Sequence, residues 1–204
     1  AAETAWVACQ NFMIGTRTPA LAGIWAKLDE VERRVTLTHQ DLEELTFCPD
    51  DPEDVAEFLN WVAPLCPENR ACPTGIVTAG ARGMTDSDYP SVSLMNVASH
   101  RAIEQAISGP LELERWRGNI WIDGAAEWEE FGWVGRNIQI GAATLRLREP
   151  IERCAHTSAN PRTGQRDADT LGTLERDFGH QDFGIYAEVV NGGEIRIGDK
   201  AVLQ

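Results

Sequence analysis

Lysine is almost missing from this 204-residue chain: of its eighteen basic residues, only Lys27 and Lys200 are lysines. Schiff-base chemistry therefore has little to work with, and recognition of an anion falls to arginine forks. Basic residues are also outnumbered, eighteen against thirty-two acids, for a net charge of −14. Such a field repels nucleic acid phosphates and anionic membrane surfaces, so neither is an expected partner. No apolar run approaches the roughly 18 residues that a membrane-spanning helix needs, and no cationic, apolar opening reads as a signal peptide. Cysteine is scarce and odd in number (Cys9, Cys48, Cys66, Cys72 and Cys154), which argues against a secreted disulfide framework and for a reducing, cytoplasmic setting. Cys66 and Cys72 lack the C-x-x-C form and have no second pair, so the loop-thiol reading outweighs a zinc site. G-x-S-x-G, H-E-x-x-H, G-x-G-x-x-G and Walker sequences are absent, which removes several large enzyme classes.

What is present is an ordinary globular composition, 43% hydrophobic and 25% charged, ample for a sizeable core. The stretches AWVACQNFMIG, RTPALAGIWAKL and RRVTLTH are read as short strands; Val35, Leu37 and His39 alternate with threonine. Asp51-Pro52-Glu53-Asp54 has the form of a helix start, with a carboxylate cap, proline at the first position and acids facing the dipole. Val55, Phe58, Leu59 and Val62 continue it at helical spacing, and its acidic run is read as a solvated face. Residues 63–90 are rich in proline and glycine and mark a junction. A second helix is expected from Ser99 to Ile107, ended by Gly109-Pro110. Strands are expected at 119–123, 136–140, 144–148, 185–190 and 194–197, the last two joined by an Asn191-Gly192-Gly193 hairpin. A short helix carries Leu171, Leu174 and Phe178. The fold class is mainly β, a small barrel with a few inserted helices, α+β overall. Trp116, Trp121, Trp128 and Trp133 fall within eighteen positions and are read as barrel core and lid rather than a stacking surface.

Between Gly132 and Arg166, six arginines face two acids, a local charge of +4 that suits a small anion, although any one of them can equally pair with the acidic surface. Cys154 lies in the middle of this stretch. Its neighbour Arg153 would favour the thiolate, the form that attacks electrophiles or ligates a soft metal; a buried, inert cysteine is the alternative. His156, two residues on, would share its face of a strand and serve as second ligand or base.

The runs RWRGNIWIDG, WVGRNIQIG, IERCAHTSANPRTG and FGIYAEVVNGGEIRIGD resemble, in this order, the MOSC domain, a module related to the C-terminal part of molybdenum cofactor sulfurases and found also in amidoxime-reducing proteins. The resemblance runs from about Tyr89 to Leu203 and implies a β-barrel, a molybdopterin-type cofactor and a cysteine that ligates molybdenum. It places Cys154 at the metal-ligand and catalytic position, with Arg117, Asn119, Arg153, Thr157, Ser91 and Ser99 as cofactor-binding positions. Residues 66–204 would be the MOSC domain, and residues 1–65 a remnant of the family's N-terminal barrel domain with an acidic helical insert. The implied activity is reduction of N-hydroxylated or related N-oxygenated small molecules, with electrons from a separate redox donor. The alternatives are a sulfur-carrier or cofactor-handling module that uses a Cys154 persulfide, and a non-catalytic binding barrel.

Overall fold

Alternating burial turns the period-two pattern of residues 34–39 into a strand: Leu37 and His39 face inward while Thr38 is exposed. This strand, β2 (Arg34–His39), is the centre of an antiparallel three-stranded sheet flanked by β1 (Trp25–Asp29) and β3 (Leu42–Phe47). The computed structural model describes residues 13–68, 72–78, 85 and 87–204. Residues 5–12 of the expected first strand, and Cys9, lie outside them. Pro19–Gly23 of the RTPALAGIWAKL stretch is a 3-10 turn rather than a strand. The chain divides into two units, one of residues up to Gly80 with Ala155–Ala168, the other of Ala81–Cys154 with Asp169–Gln204.

In the first unit, α1 (Pro52–Val62) forms as expected from its local chemistry. The Asp51 carboxylate accepts from the backbone of Glu53 and Asp54, and Pro52 occupies a first-turn position where no N–H is needed. Glu53 and Glu57 are exposed, so the acidic run is a solvated face. Phe58 stacks on Phe47 of β3 with ring centroids 5.1 Å apart, which fixes the helix against the sheet. Cys66 follows the helix after one 3-10 turn, Ala63–Leu65. Burial and a hydrogen bond with the Cys72 thiol push the Cys66 thiol up to about 11. Residues 155–168 return to this unit: Trp25 Nε1 donates to the Pro161 carbonyl at 2.8 Å and the Gln40 amide to that of Thr163 at 2.9 Å.

The second unit is a six-stranded mixed sheet in the order β5-β4-β8-β7-β6-β9. Its strands are β4 (Ser91–Asn96), β5 (Ile120–Ile122), β6 (Asn137–Ile140), β7 (Ala143–Glu152), β8 (Asp182–Asn191) and β9 (Ala201–Leu203). Only the β4–β5 pair is parallel. Three register shifts along β7 and β8, one of them between Pro150 and Glu152, bend the sheet into a partial barrel. Leu94, Ile122, Ile138, Ile140, Leu145, Leu147, Ile185 and Ala187 form its core. With α2 (Val97–Ile107) and the short α3 (Thr170–Thr173), the whole is α+β.

Two boundaries differ from the expectation. α2 begins at Val97 because the Asn96 side chain accepts from the Ala98 N–H and caps it three residues earlier than Ser99 would. Residues 194–197 are not a strand and Asn191-Gly192-Gly193 is not a hairpin. A Cβ at Gly193 would come within 2.5 Å of the Ala142 backbone, and the Ala142 N–H donates to the Glu194 carbonyl at 3.1 Å. The glycine pair therefore lets the chain cross the β6–β7 turn, and β9 then pairs with β6. Among the described residues, no helix is long and apolar enough to cross a membrane.

Candidate functional site

The site is organised by Arg153. Just beyond β7, its N–H bonds to the Gln181 carbonyl at 2.9 Å, while the guanidinium turns inward. Nε donates to the Phe183 carbonyl at 2.8 Å and Nη1 to the Trp116 carbonyl at 3.0 Å, with Nη2 3.3 Å from the Met95 sulfur. The charge lies 5.8 Å from the Trp116 ring centre and 5.7 Å from that of Phe183, within cation–π range. A planar fork with donors on several sides is suited to this bridging, which lysine could not reproduce. The consequence is positional: the segment that presents Cys154 is tied to the residue directly before Arg117.

Cys154 is exposed. Arg117 closes the 3-10 turn Leu113–Trp116 in the left-handed conformation, φ 54°, and its N–H bonds to the Glu114 carbonyl at 3.1 Å. Its side chain is exposed and makes no ion pair among the described residues. At Asn119, Oδ1 accepts from the Ser93 N–H and hydroxyl, each at 2.9 Å, and its own N–H donates to Ser93 Oγ at 3.0 Å. Asn119 thereby locks the start of β5 beside β4. Between them Gly118 lies so close to Met95 that a Cβ would stand 2.5 Å from Met95 Cγ.

The remaining expected cofactor positions have other surroundings. Ser91 is half-buried at the start of β4 and accepts from the Ser87 hydroxyl at 2.8 Å. Ser99 is wholly buried, donating to Glu130 Oε1 and accepting from the Trp128 N–H, both at 2.8 Å, so its hydroxyl is engaged within the protein. Thr157 is 3% exposed, in the 3-10 turn Ala155–Ser158 of the other unit. Because β7 ends at Glu152 and this turn begins at Ala155, strand alternation does not relate His156 to Cys154. The basic stretch likewise forms no single anion cradle. Arg148 pairs with Glu188 and lies over the Tyr89 ring, Arg136 donates to the Gln204 carbonyl, and Arg166, within the first unit, donates to the Thr16 carbonyl. Burial and the hydrogen bond to Glu149 hold the Tyr89 phenol well above its usual value.

Trp116, read from the sequence as core, and His100, which the sequence reading did not single out, support this site from below. Trp116 is wholly buried, tilted against Phe183 at 4.1 Å between centroids. Its Nε1 donates to His100 Nδ1 at 3.0 Å. An indole nitrogen can only donate, so His100 carries its proton on Nε2 and donates to the Leu111 carbonyl at 3.1 Å. Burial lowers the His100 pKa below 6.5, outweighing Glu104, whose carboxylate is 3.7 Å away. The unfolded chain then binds the proton more readily than the folded one, so this part of the stability is present above about pH 6.5 and lost as pH falls. Urea unfolding at a series of pH values should show that slope, and His100→Gln should flatten it; an unchanged slope in the variant would locate the effect elsewhere. Trp128, Phe131, Phe178 and His180 form a second, half-buried aromatic group, with Trp128 4.7 Å from Phe178 and 4.9 Å from His180. The tryptophan density of residues 116–133 was the available signal for both groups.

Among the described residues, no three His, Cys, Asp or Glu side chains converge on a metal position. The donors on the segments that Arg153 joins are instead one exposed thiol, one exposed guanidinium without an ion pair among the described residues, and a side-chain amide. That set fits an anionic group that carries its own remaining metal ligands: a soft sulfur for the metal and charged or polar donors for a phosphate. A molybdenum–pterin cofactor is such a group.

Residues 83–202 match the family model of the MOSC domain, a span that contains all seven expected site positions. The molybdenum cofactor sulfurase of Drosophila grimshawi is 32% identical over 141 residues, covering 64% of this chain and 17% of that protein. That of Drosophila melanogaster is 34% identical over 96 residues, 46% of this chain and 12% of that protein. The chain thus spans less than a fifth of the length of these curated relatives. The crystal structure of YiiM from Geobacillus stearothermophilus aligns with a TM-score of 0.44 and 18% identity over 55% of this chain and 53% of that one.

Proposed function

Because the chain belongs to the MOSC domain family, we propose that it is a molybdenum-cofactor protein that meets the metal through Cys154 and reduces N-hydroxylated or related N-oxygenated small molecules. The observation that carries this reading is the Arg153 bridge, which ties the exposed Cys154 to the segment of Arg117 and Asn119. The bound cofactor would supply the two-electron chemistry, and a separate redox protein would supply the electrons. Cys154 gives a soft thiolate donor, and the Arg117 fork suits the pterin phosphate. Asn119 offers its amide nitrogen, while Arg153 positions Cys154 without needing to touch the cofactor.

A second reading is favoured by the name shared by the curated relatives, molybdenum cofactor sulfurase. Here the Cys154 thiolate attacks the terminal sulfur of a persulfide donor, such as that of a cysteine desulfurase; the donor leaves as a thiol and Cys154 becomes a persulfide.

Protein purified from a host that makes the cofactor should contain molybdenum and pterin in the first reading. In Arg117→Ala, retention during dialysis should weaken by about 1.5–3 kcal/mol, roughly 10- to 150-fold, for a lost charged hydrogen bond. Protein without molybdenum or pterin, but with one added sulfur atom on Cys154 after incubation with a desulfurase, overturns the first reading for the second. Neither signal leaves the non-catalytic barrel.

A further inference from the structure

His180 lies across the β7–β8 ladder from Cys154. The two strands pair through Glu152 and Asp182, and the ladder runs one rung further, with the Arg153 N–H on the Gln181 carbonyl at 2.9 Å. Continuing the same antiparallel count by one step sets Cys154 opposite His180, and directly opposite residues share a face, with Cβ atoms about 4.5–5.5 Å apart. The imidazole is held in one orientation. The Asp182 N–H donates to its Nδ1 at 3.2 Å, so the ring proton is on Nε2, and among the described residues no group accepts from it. Trp128 and Phe131 meet the ring in T-shaped contacts, at 4.9 and 5.3 Å between centroids.

The wall behind His180 carries costs that core packing does not require. Trp128 sits in the left-handed region, φ 61°, which disfavours a bulky side chain, and its buried Nε1–H has no acceptor among the described residues. Phe178 ends a single π-helical turn, Leu174–Phe178, a form met mostly at functional positions. Departures of this kind gather where a ligand is held. Trp128, Phe178 and His180 each keep part of their surface open to solvent. We propose that these three residues form the substrate subsite beside Cys154. The rings of Trp128 and Phe178 take a flat, apolar substituent, and His180 Nε2–H donates to the oxygen carried by the substrate nitrogen. Ring faces attract flat groups but give little direction, whereas one N–H donor fixes which end of the substrate faces Cys154. The subsite rests on the reductase reading.

The test compares benzohydroxamic acid with acetohydroxamic acid, which carry the same N–OH group and differ in the ring, on whole protein from a host that makes the cofactor. The wild type should favour the aryl compound in kcat/KM. Phe178→Leu should reduce that preference about tenfold, and Trp128→Leu by at least as much. Phe178→Leu decides the matter if Trp128→Leu does not fold. His180→Phe, which keeps a ring and removes the donor, should lower kcat/KM for both compounds about tenfold, and His180→Gln, which restores an N–H donor, should recover most of it. Calorimetric titration with benzamide, which has the ring but no N–OH group, should show binding about tenfold weaker in Phe178→Leu, a readout that needs no turnover. In protein that holds molybdenum and pterin, any of three results would overturn the subsite and leave the reductase reading standing: no aryl preference in the wild type, equal losses for the two acids in Phe178→Leu, or His180→Gln no better than His180→Phe. Protein that holds neither molybdenum nor pterin would overturn that reading and the subsite with it.

Discussion

Replacing Cys154 with serine should leave the melting temperature where it is and remove the proposed molybdenum-dependent reductase activity. The first half follows from exposure and from the nearly equal volume of serine: surface substitutions usually change stability by no more than about 0.5 kcal/mol. The second half follows from ligand chemistry, because serine retains the shape of the side chain but replaces a soft sulfur with a hard, neutral oxygen. Loss of a hydrogen-bond partner behind a metal ligand already costs about 10–100-fold in affinity or activity, and loss of the ligand itself should exceed that. Pterin retention should survive to a larger extent, since Arg117 and Asn119 are untouched. Activity, molybdenum content and pterin fluorescence, measured on the same preparation, separate these effects. Equal activity in Cys154→Ser and wild type would exclude Cys154 as the metal ligand. A fall in melting temperature as large as the fall in activity would mean that its role is structural.

Much of this arrangement was legible because it depends on local chemistry. Asp51 and Pro52 announce α1 by supplying what a helix start needs, and the period of Val35, Leu37 and His39 announces β2. The motifs around Arg117 and Arg153 named the segments of the candidate site. The roles inside those segments were less legible, because they depend on long-range partners. Arg153 looked like a charge that activates its neighbour; its guanidinium instead bridges the carbonyls of Trp116 and Phe183, 37 and 30 residues away. Ser99 looked like a helix-start hydroxyl open to a ligand, but with Asn96 capping the helix it falls within the first turns, where it reaches Glu130. The Asn191-Gly192-Gly193 run has the composition of a hairpin, yet its glycines serve a close crossing over Ala142, which only the β6–β9 pairing makes necessary. In each case the residue type was informative and its partner was not, since the partner is set by the register of a sheet assembled from distant strands.

Glu130 shows how strongly such a partner can count. It is a wholly buried carboxylate whose oxygens accept from Asn96 Nδ2 at 2.7 Å and from Ser99 Oγ at 2.8 Å. Asn96 also donates to the Ala126 carbonyl at 2.7 Å and caps α2, and Ser99 accepts from Trp128. The turn Glu129–Trp133, and with it the ring of Trp128, is thereby fastened to the start of α2. Asn96→Ala removes the cap, worth about 1 kcal/mol, and leaves a buried carboxylate oxygen and a carbonyl without their donor, at about 1–3 kcal/mol each. A loss of roughly 3–7 kcal/mol is expected, a large fraction of the approximately 5–15 kcal/mol that stabilises a typical domain. Removing both ends should cost less than the sum. Glu130→Leu combined with Asn96→Ala takes away the buried acceptor together with its donor, and matched apolar replacement is nearly neutral for that pair. Urea unfolding of the two single variants and the double variant measures this coupling directly. A coupling near zero, or a loss under about 1 kcal/mol for Asn96→Ala, would show that the carboxylate is satisfied without Asn96 and that the Trp128 turn is held by its aromatic contacts with Phe178 and His180 instead.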